Sequence, residues 1–594
     1  MRPMLVGGLC QPRGALDEGL LAPAQTVKVL GTIFAEWRGN MNATSCAAAT
    51  GREVANRVLV CLAMGLMVVS TRQARGQGEQ HGAHDLGVVS FPVSCSPGAQ
   101  TAFNHAVALL HHMTYPQARV AFQNVAAIDS TCGMAHWGVA MTLFQPLWPT
   151  RPNAAALQLG WTEASKARTL ARTDREQLFV AAVEAFFLEP ASTDYWLRIR
   201  RWEQAMAAAY AKLPQDDEVA AFYALSHLAT TRSDTVTRAN ADRAASILVP
   251  LYERNKDHPG AMHYLVHAND VVGRERELLD ITRRYDAVAP RNPHALHMPT
   301  HIYTRLGEWN KVVSGNLRAA EAALEQPAGE RGEYVWDEFP HAIEYVVYAY
   351  LQKAADDSAA AAIARLRRVP NVEPTFKLAF HLASTQARYA LERRDWREAA
   401  AIVPRTPASL AWDRFSWAEA ISQFARGLGA VHLGKTADAR TARARLDTLE
   451  RTMANAREEL FARNIRMLRL ELDAWLAQAE GKGAEGIALL SEAAMLEAST
   501  PKHAVTPGPT IPALELLGDL LLEQKQPGPA LEAYKGALAR YPNLFNSMLG
   551  SARAARSAGA NAEAREYYQQ LLRVADGGGR KDILAEARAF VAGR

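Results

Sequence analysis

Cysteine is scarce in this chain of 594 residues, which has five, and only Cys95 and Cys132 lie beyond residue 76. These two do not form a Cys-x-x-Cys pair, so the common thiol-redox motif is absent. No Walker loop or glycine-rich dinucleotide turn follows a predicted strand, which excludes the usual nucleotide-binding sites. β-Branched runs are also scarce while alanine is abundant, and that composition favours helices over strands.

An excess of charge of either sign is missing too, once residues 1–76 are set aside. The whole chain has 66 basic and 62 acidic residues. The first 76 residues hold eight of the basic and four of the acidic ones, so 58 of each remain. Without a basic stripe, nucleic acid is not expected as a partner, and no basic amphipathic helix argues for membrane binding.

Residues 1–76 have the features of an export leader. Two arginines precede the short apolar run 58–70, and a small-x-small sequence follows at 74–76, an order typical of a signal peptide. Residues 1–40 look like an upstream translational extension, with Met41 as the functional start. We expect an exported protein, periplasmic or secreted, with membrane contact only if the leader stays uncleaved. A buried helix or a membrane anchor is the alternative reading of the apolar run.

The two remaining cysteines each precede the first helix of a predicted repeat. That position places Cys95 and Cys132 at the same end of adjacent helices. Because an exported protein meets an oxidising compartment, we expect a disulfide between them. Two separate buried thiols are the alternative.

The clearest repeat covers Ile511–Pro542. Counted from its first residue, glycine stands at position 8, alanine at 20 and 27, tyrosine at 24 and proline at 32. The small residues let two antiparallel helices approach closely, the tyrosine fills the space beside them, and proline ends the second helix. These positions closely resemble the tetratricopeptide repeat (TPR) family.

Weaker copies of the repeat recur over most of the chain, for example in the Leu306–Trp309 turn. We predict an all-α, TPR-like right-handed α-solenoid of roughly ten to twelve helical hairpins. Its predicted parts are a leader at 1–76, an N-terminal segment at 77–97, a degenerate solenoid at 98–500 with a histidine-rich groove at 258–348, and C-terminal repeats with a capping helix at 511–594. The proline-rich stretch 501–512 is predicted to be a loop or hinge.

Two His-x-x-x-His pairs, His263/His267 and His297/His301, begin 34 residues apart, which is the length of one repeat. They therefore occupy equivalent positions on neighbouring first helices and face the same concave surface. Neither pair has glutamate directly after its first histidine, so the helix motif of zinc proteases is absent.

The groove-facing positions of three successive repeats hold polar side chains, when they are aligned to the TPR family. These are His263, His267, Asp270, His294, His297, His301, His341, Glu344 and Tyr348. Imidazole and carboxylate groups on adjacent helices suit Zn²⁺, Fe²⁺, Mn²⁺ or Cu²⁺. The four paired histidines are the predicted metal ligands, in one four-ligand site or in a two-metal site, and His294 and His341 are predicted to line the groove.

The segments 258–270, 294–307 and 91–148 resemble a group of exported bacterial TPR proteins. The resemblance covers most of the chain after the leader. It implies the fold and the export, and it leaves the chemistry open.

Two functions from different classes follow. The first is binding of a protein or peptide partner in the concave groove, with a divalent metal bound there or with the histidines serving only as polar contacts. The second is a metal-dependent enzyme, hydrolytic or oxidative, that acts on a small-molecule substrate. In that enzyme Asp270 or Glu344 is a ligand or general base, and Tyr348 donates a proton or stabilises an oxyanion. An open groove favours the first function, and an enclosed pocket beside the metal favours the second.

Overall fold

The fold is described from a computed structural model, which covers residues 85–148, 151–191, 194–231, 237–329 and 331–593. All of them belong to one compact unit, Gln80–Arg594. The predicted leader and the start of the predicted N-terminal segment lie outside the described residues.

The first half of the described chain is a succession of helices in which neighbours along the chain pack against each other as hairpins. They are α1 (Pro97–His111), α2 (Tyr115–Ile128), α3 (Gly133–Met141), α4 (Ala154–Leu170), α5 (Asp174–Phe187), α6 (Tyr195–Lys212), α7 (Asp217–Ala229), α8 (Thr237–Arg254), α9 (Pro259–Asn269), α10 (Leu279–Val288), α11 (Pro293–His297), α12 (Pro299–Leu306) and α13 (Trp309–Leu324).

The second half continues in the same way after a short antiparallel ladder of β1 (Pro327–Ala328) and β2 (Tyr334–Val335). A 3₁₀ turn, Trp412–Arg414, lies among the helices, which are α14 (Glu338–Gln352), α15 (Asp356–Arg368), α16 (Phe376–Glu392), α17 (Trp396–Ala400), α18 (Ser416–His432), α19 (Thr436–Asn455), α20 (Glu459–Ala479), α21 (Gly483–Ala498), α22 (Ala513–Glu523), α23 (Pro527–Arg540), α24 (Phe545–Ser557), α25 (Asn561–Val574) and α26 (Lys581–Val591). The prediction of an all-α, TPR-like solenoid is confirmed. Within the described ranges, no helix combines the length and apolarity needed to cross a bilayer.

Tyr534 shows how the repeat positions bring helices together. A Cβ atom on Gly518 would lie 2.6 Å from its ring, and one on Gly550 would lie 2.3 Å from it. The ring is therefore held between the glycine backbones of α22 and α24, and its hydroxyl donates to Asp519 Oδ1 at 2.6 Å. The small and large positions identified in the sequence thus make the helix contacts expected of them.

The groove helix predicted around the second histidine pair is divided in two. Helix α11 ends at His297 and α12 begins at Pro299, whose ring cannot donate the backbone hydrogen bond of a continuous helix. Met298 between them keeps helical dihedral angles, φ −54° and ψ −42°. His297 and His301 consequently still share one helix face.

The chain between α21 and α22 does more than connect two repeats, because residues 501–510 pack onto the helices of the predicted groove. Arg388 donates to two carbonyl oxygens of this segment, each at 2.7 Å, and the Tyr345 hydroxyl donates to a third at 3.2 Å. Lys502 forms an ion pair with Asp270 at 2.8 Å. The predicted groove is therefore occupied at this point by the protein's own chain.

The two cysteines of the described chain form a disulfide. Cys95 and Cys132 have Cα atoms 4.9 Å apart, and they precede helices α1 and α3. The bond therefore links the N-terminal ends of the first helices of two successive hairpins.

Replacing Gly518 with alanine should lower the free energy of unfolding by about 1–3 kcal/mol, because the added methyl group overlaps the Tyr534 ring. Urea unfolding followed by circular dichroism measures this change. Gly528→Ala is the matched control, since a Cβ atom there meets nothing within 4 Å, and its effect should stay within about 0.5 kcal/mol. Equal stability of the two variants would contradict this account of the packing.

Candidate metal centre

Six predicted groove histidines lie in two buried clusters. The 263–294 cluster consists of His263, His267 and His294. Each contributes one ring nitrogen, and these three nitrogens lie within 4.8 Å of one another. The 297–341 cluster consists of His297, His301 and His341, which meet the same distance limit. Each His-x-x-x-His pair thus takes its third histidine from the next groove helix. The four paired histidines are therefore divided between two clusters and are not gathered in one four-ligand site, which favours the two-site alternative. His294 and His341, which were predicted only to line the groove, belong to the clusters.

The side chain of Asn316 fixes the hydrogen position on His297. Its amide nitrogen donates to the carbonyl oxygen of Val312 at 2.8 Å, which orients the amide group. Its Oδ1 atom then faces Nδ1 of His297 at 2.6 Å and can only accept. His297 therefore carries its hydrogen on Nδ1, and its Nε2 atom presents a lone pair.

Asp270 fixes His301 in the same way. Its Oδ2 atom lies 2.9 Å from Nδ1 of His301. Although burial opposes ionisation, the charges of Lys502 and Arg305 hold the pKa of Asp270 well below its usual range. The ionised carboxylate accepts the hydrogen on Nδ1, and Nε2 of His301 is again left with a lone pair.

A second imidazole fixes the hydrogen on His341. Nδ1 of His381 is hydrogen-bonded to Glu344, a carboxylate that also accepts from Arg388 at 3.2 Å. His381 consequently offers the lone pair of Nε2, which lies 3.1 Å from Nδ1 of His341. His341 therefore donates through Nδ1, and its buried Nε2 atom has no hydrogen-bond partner among the described residues.

The consequence is an unfavourable contact within the 297–341 cluster. Nε2 of His297 and Nε2 of His301 lie only 2.9 Å apart, and both present lone pairs. Burial lowers the pKa of both imidazoles, that of His301 to about 4, so a proton between them is disfavoured at neutral pH. Two nitrogens bound to one tetrahedral ion at 2.0–2.1 Å lie roughly 3.3 Å apart, close to the separation observed.

The 263–294 cluster is arranged alike. His263 donates from Nδ1 to a backbone carbonyl oxygen at 2.6 Å, and His294 has Nδ1 2.8 Å from a carboxylate oxygen of Glu338. Their Nε2 atoms lie 3.1 Å apart. The third member, His267, has a buried Nε2 atom without a partner in the described part of the chain.

A third group, His111, Glu218 and His258, meets the same distance limit but differs chemically. Nδ1 of His258 accepts the backbone N–H of Ala261 at 3.1 Å, so its hydrogen is on Nε2, which lies 3.3 Å from Glu218. Nε2 of His111 lies 2.8 Å from the same carboxylate. The buried Glu218 carboxylate contacts both imidazoles, but neither His258 Nε2 nor Glu218 Oε1 makes a hydrogen bond among the described residues. This group therefore offers two imidazoles and a carboxylate, whereas each of the other two offers three imidazoles.

Tyr348 does not reach the histidines, which corrects its predicted role as proton donor. It lies seven residues beyond His341, about 10 Å along the helix axis. Its ring packs against Trp309 with the centroids 5.5 Å apart. The tyrosine that lies beside the histidines is Tyr345, whose ring centroid is 4.7 Å from that of His297.

Asp270 and Glu344 also differ from their predicted roles as ligand or general base. Asp270 accepts from the outer nitrogen of His301, and Glu344 is separated from the 297–341 cluster by His381. Both carboxylates orient imidazoles. The sequence reasoning missed His381 because it stands alone, without a second histidine four residues away, and lies outside 258–348.

The residues Gly429–Thr436 match the letters of a phosphate-binding loop, Gly-x-x-x-x-Gly-Lys-Thr. In the structure their first four residues belong to α18, and Lys435 directly precedes α19. The backbone of Gly429 packs against α17, where a Cβ atom would lie 2.4 Å from a backbone nitrogen. The match is therefore a turn between two repeat helices, without the preceding strand of a phosphate loop.

A cavity of about 140 Å³ adjoins the 263–294 cluster. His267 and Asp270 contribute to its wall, as do Trp148, Phe461 and residues 501–504. His503 in that last segment is held neutral, because burial, followed by the charges of Arg151 and Lys502, lowers its pKa to about 3. The histidine clusters thus border a small space in the protein.

No family model and no curated protein matches the chain. Among solved structures, the Cut9–Hcn1 hetero-tetramer of APC/C is 13% identical, with a TM-score of 0.32 over 82% of this chain and 90% of that one. The human IFIT1 dimer with m7Gppp-AAAA is 12% identical, with a TM-score of 0.36 over 75% and 90%. A monomeric IFIT1 mutant with Gppp-AAAA is 11% identical, with a TM-score of 0.35 over 81% of this chain and 96% of that one. Since these TM-scores are below 0.5, the class stated here, an all-α TPR-like repeat protein, rests on the packing of its own helices.

The neutral state of His503 should make stability depend on pH. Its pKa is about 3 in the folded protein and about 6.5 in the unfolded chain, so the unfolded chain takes up a proton as the pH falls below 6.5. The stabilisation is complete above pH 6.5 and is lost on acidification, by up to about 1.4 kcal/mol per pH unit. Urea unfolding at pH 5, 6 and 7 measures it.

His503→Asn is the comparison variant, because its Oδ1 atom can still accept the N–H of Val505 that Nδ1 accepts at 3.0 Å. Between pH 7 and 5 the free energy of unfolding should fall less steeply in the variant than in the natural protein. The reason is that unfolding of the variant takes up about one proton fewer. Parallel pH profiles would show that His503 is not buried in its neutral form.

Proposed function

We propose that this protein is a metalloprotein in which a TPR-like solenoid encloses a transition-metal centre. The 297–341 cluster is the primary site and the 263–294 cluster a second one. The observation that carries the proposal is the 2.9 Å approach of two Nε2 lone pairs, on His297 and His301, whose opposite nitrogens both donate to fixed acceptors. A cation between them turns a repulsive contact into two ligand bonds.

The donor set narrows the choice of metal. Each cluster offers three imidazoles. Imidazole ligands suit Zn²⁺, Cu²⁺ or Fe²⁺ better than Mn²⁺, which prefers oxygen ligands. Three protein ligands leave a coordination position open, as in catalytic zinc sites. Asn316, Asp270 and His381 would hold the imidazoles in the ligating orientation, because each accepts a hydrogen from an outer nitrogen.

Elemental mass spectrometry on the protein from residue 77 onward tests the proposal with His341→Asn. Asparagine reaches the position of Nδ1, so it can keep the hydrogen bond to His381, and it lacks the Nε2 nitrogen. We expect one or two metal equivalents per natural chain and a loss of about one equivalent in the variant.

His258→Asn is the matched control for that experiment. It removes a buried histidine nitrogen that belongs to neither of the two proposed sites, and its Oδ1 atom can still accept the N–H of Ala261. The metal content should not change. A natural protein that stays metal-free after incubation with Zn²⁺, Cu²⁺ and Fe²⁺ would disprove the proposal.

A second candidate function, binding of a protein or peptide, is favoured by a cleft of about 340 Å³ in the C-terminal half. His432 lies between the rings of Trp396 and Trp475, with centroid distances of 3.9 and 4.3 Å. His432 Nε2 and Trp475 Nε1 are buried without partners among the described residues. An extended peptide offers carbonyl oxygens that would accept from the tryptophan N–H.

A peptide selected from a random library against the protein tests this second function. Its affinity should fall about 3- to 10-fold in Trp475→Phe, which keeps an aromatic ring and removes one hydrogen-bond donor. Trp161→Phe, in α4, is the control and should leave the affinity unchanged. Peptides that are indifferent to both substitutions do not use the cleft.

We also propose that the chain is exported, as the resemblance to exported bacterial TPR proteins implies. The disulfide between Cys95 and Cys132 supports an oxidising compartment. Expression from Met41 in a bacterium should give a mature protein that starts near residue 77 in the periplasm or medium. N-terminal sequencing measures the start, and a full-length cytoplasmic product would contradict export.

A further inference from the structure

The cavity beside the 263–294 cluster has walls suited to a flat ring. Trp148, Trp196 and Phe461 contribute aromatic surfaces, and Leu228 and Leu460 contribute aliphatic ones. A cavity of about 150 Å³ with apolar walls holds benzene in another protein. The volume here, about 140 Å³, therefore matches a molecule with a single six-membered ring.

The charged residues that line the cavity neutralise each other. Arg151 and Glu458 form one ion pair, with Nη2 and Oε2 3.3 Å apart. Lys502 and Asp270 form the other, at 2.8 Å. A charged ligand would have to leave water and find no free counter-charge in these pairs, which is costly. The cavity therefore selects a neutral molecule.

Two polar groups of the wall remain available to a ligand. Nε1 of Trp148 is buried and has no hydrogen-bond partner in the described part of the protein. The same holds for Nε2 of His267, which is available to a ligand while no metal occupies the 263–294 cluster. The tryptophan N–H can only donate, whereas a neutral imidazole nitrogen donates or accepts according to its tautomer. A hydroxyl group is both donor and acceptor, so it can bond to either of them.

We propose that this cavity binds a neutral, single-ring aromatic compound that carries a hydroxyl group. The position next to His267 places the ligand at the edge of the 263–294 cluster. A role of this ligand as a substrate would rest on the proposed metal centre, whereas the binding of the ligand to the cavity does not. Trp148 also contacts the 263–294 cluster, since its ring centroid lies 5.2 Å from that of His294.

Calorimetric titration of the EDTA-treated protein with phenol tests the inference. We expect saturable binding of one phenol per chain, about 3- to 10-fold weaker binding of benzene because a hydrogen bond is lost, and at least roughly 100-fold weaker binding of benzoate because its charge is buried. Binding of benzoate as tight as that of phenol, or no saturable binding of phenol, would overturn the inference.

Two variants locate the binding. Ala229→Phe places a ring in the cavity wall and should abolish phenol binding. Trp148→Phe keeps the aromatic wall and should reduce the affinity for phenol to that for benzene, with the affinity for benzene unchanged. Trp161→Phe, outside the cavity, should alter neither. Phenol binding that survives both cavity substitutions would place the ligand elsewhere and overturn the proposal.

The two proposals fail independently, because phenol binding is measured without metal and the metal content is measured without phenol. Loss of phenol binding with normal metal content contradicts the cavity ligand alone. Absence of metal with normal phenol binding contradicts the metal centre alone.

Discussion

The hydrogen bonds made by the outer nitrogens of the buried histidines decide what this structure can do. Asn316, Asp270 and His381 each accept a hydrogen from Nδ1 of a cluster member. An imidazole that donates through one nitrogen presents a lone pair on the other. Three such lone pairs meet in the 297–341 cluster, away from water. A histidine that merely filled the core would instead direct its hydrogen at an acceptor, as His111 does toward Glu218 in the third group.

The same requirement explains why distant parts of the chain meet at the centre. A buried carboxylate that accepts from an imidazole must be neutralised, or its burial would be prohibitively costly. Asp270 is paired with Lys502, from the segment that fills the groove, and Glu338 is paired with Lys377 of α16. The segment 501–510 therefore belongs to the surroundings of the histidine clusters: it supplies a counter-charge, packs in the groove and contributes to one wall of the adjoining cavity. Open groove binding and a buried centre cannot use the same surface.

The sequence was informative wherever function depends on spacing within one repeat. Glycine at 518 and tyrosine at 534 identified a helix contact, and the 34-residue interval between histidine pairs identified a shared face. It was uninformative wherever residues far apart in the chain meet. Nothing local indicates that His381 stands behind His341, or that Lys502 reaches Asp270 across more than 200 residues. Tyr345 and Tyr348 both lie near the helix face that carries His341. Which of them contacts the 297–341 cluster depends on the position of the cluster along the axis of α14, and the sequence does not give that position.

The most direct measurement of the central claim is an anomalous diffraction experiment on crystals of the zinc- or copper-loaded protein, recorded at the metal absorption edge. The account predicts a peak about 2.0–2.2 Å from Nε2 of His297, His301 and His341, with every Nδ1 atom still bonded to its present partner. A second, weaker or equal peak would mark the 263–294 cluster. No peak at either cluster, or a metal bound through Nδ1 with the outer hydrogen bonds broken, would contradict the account.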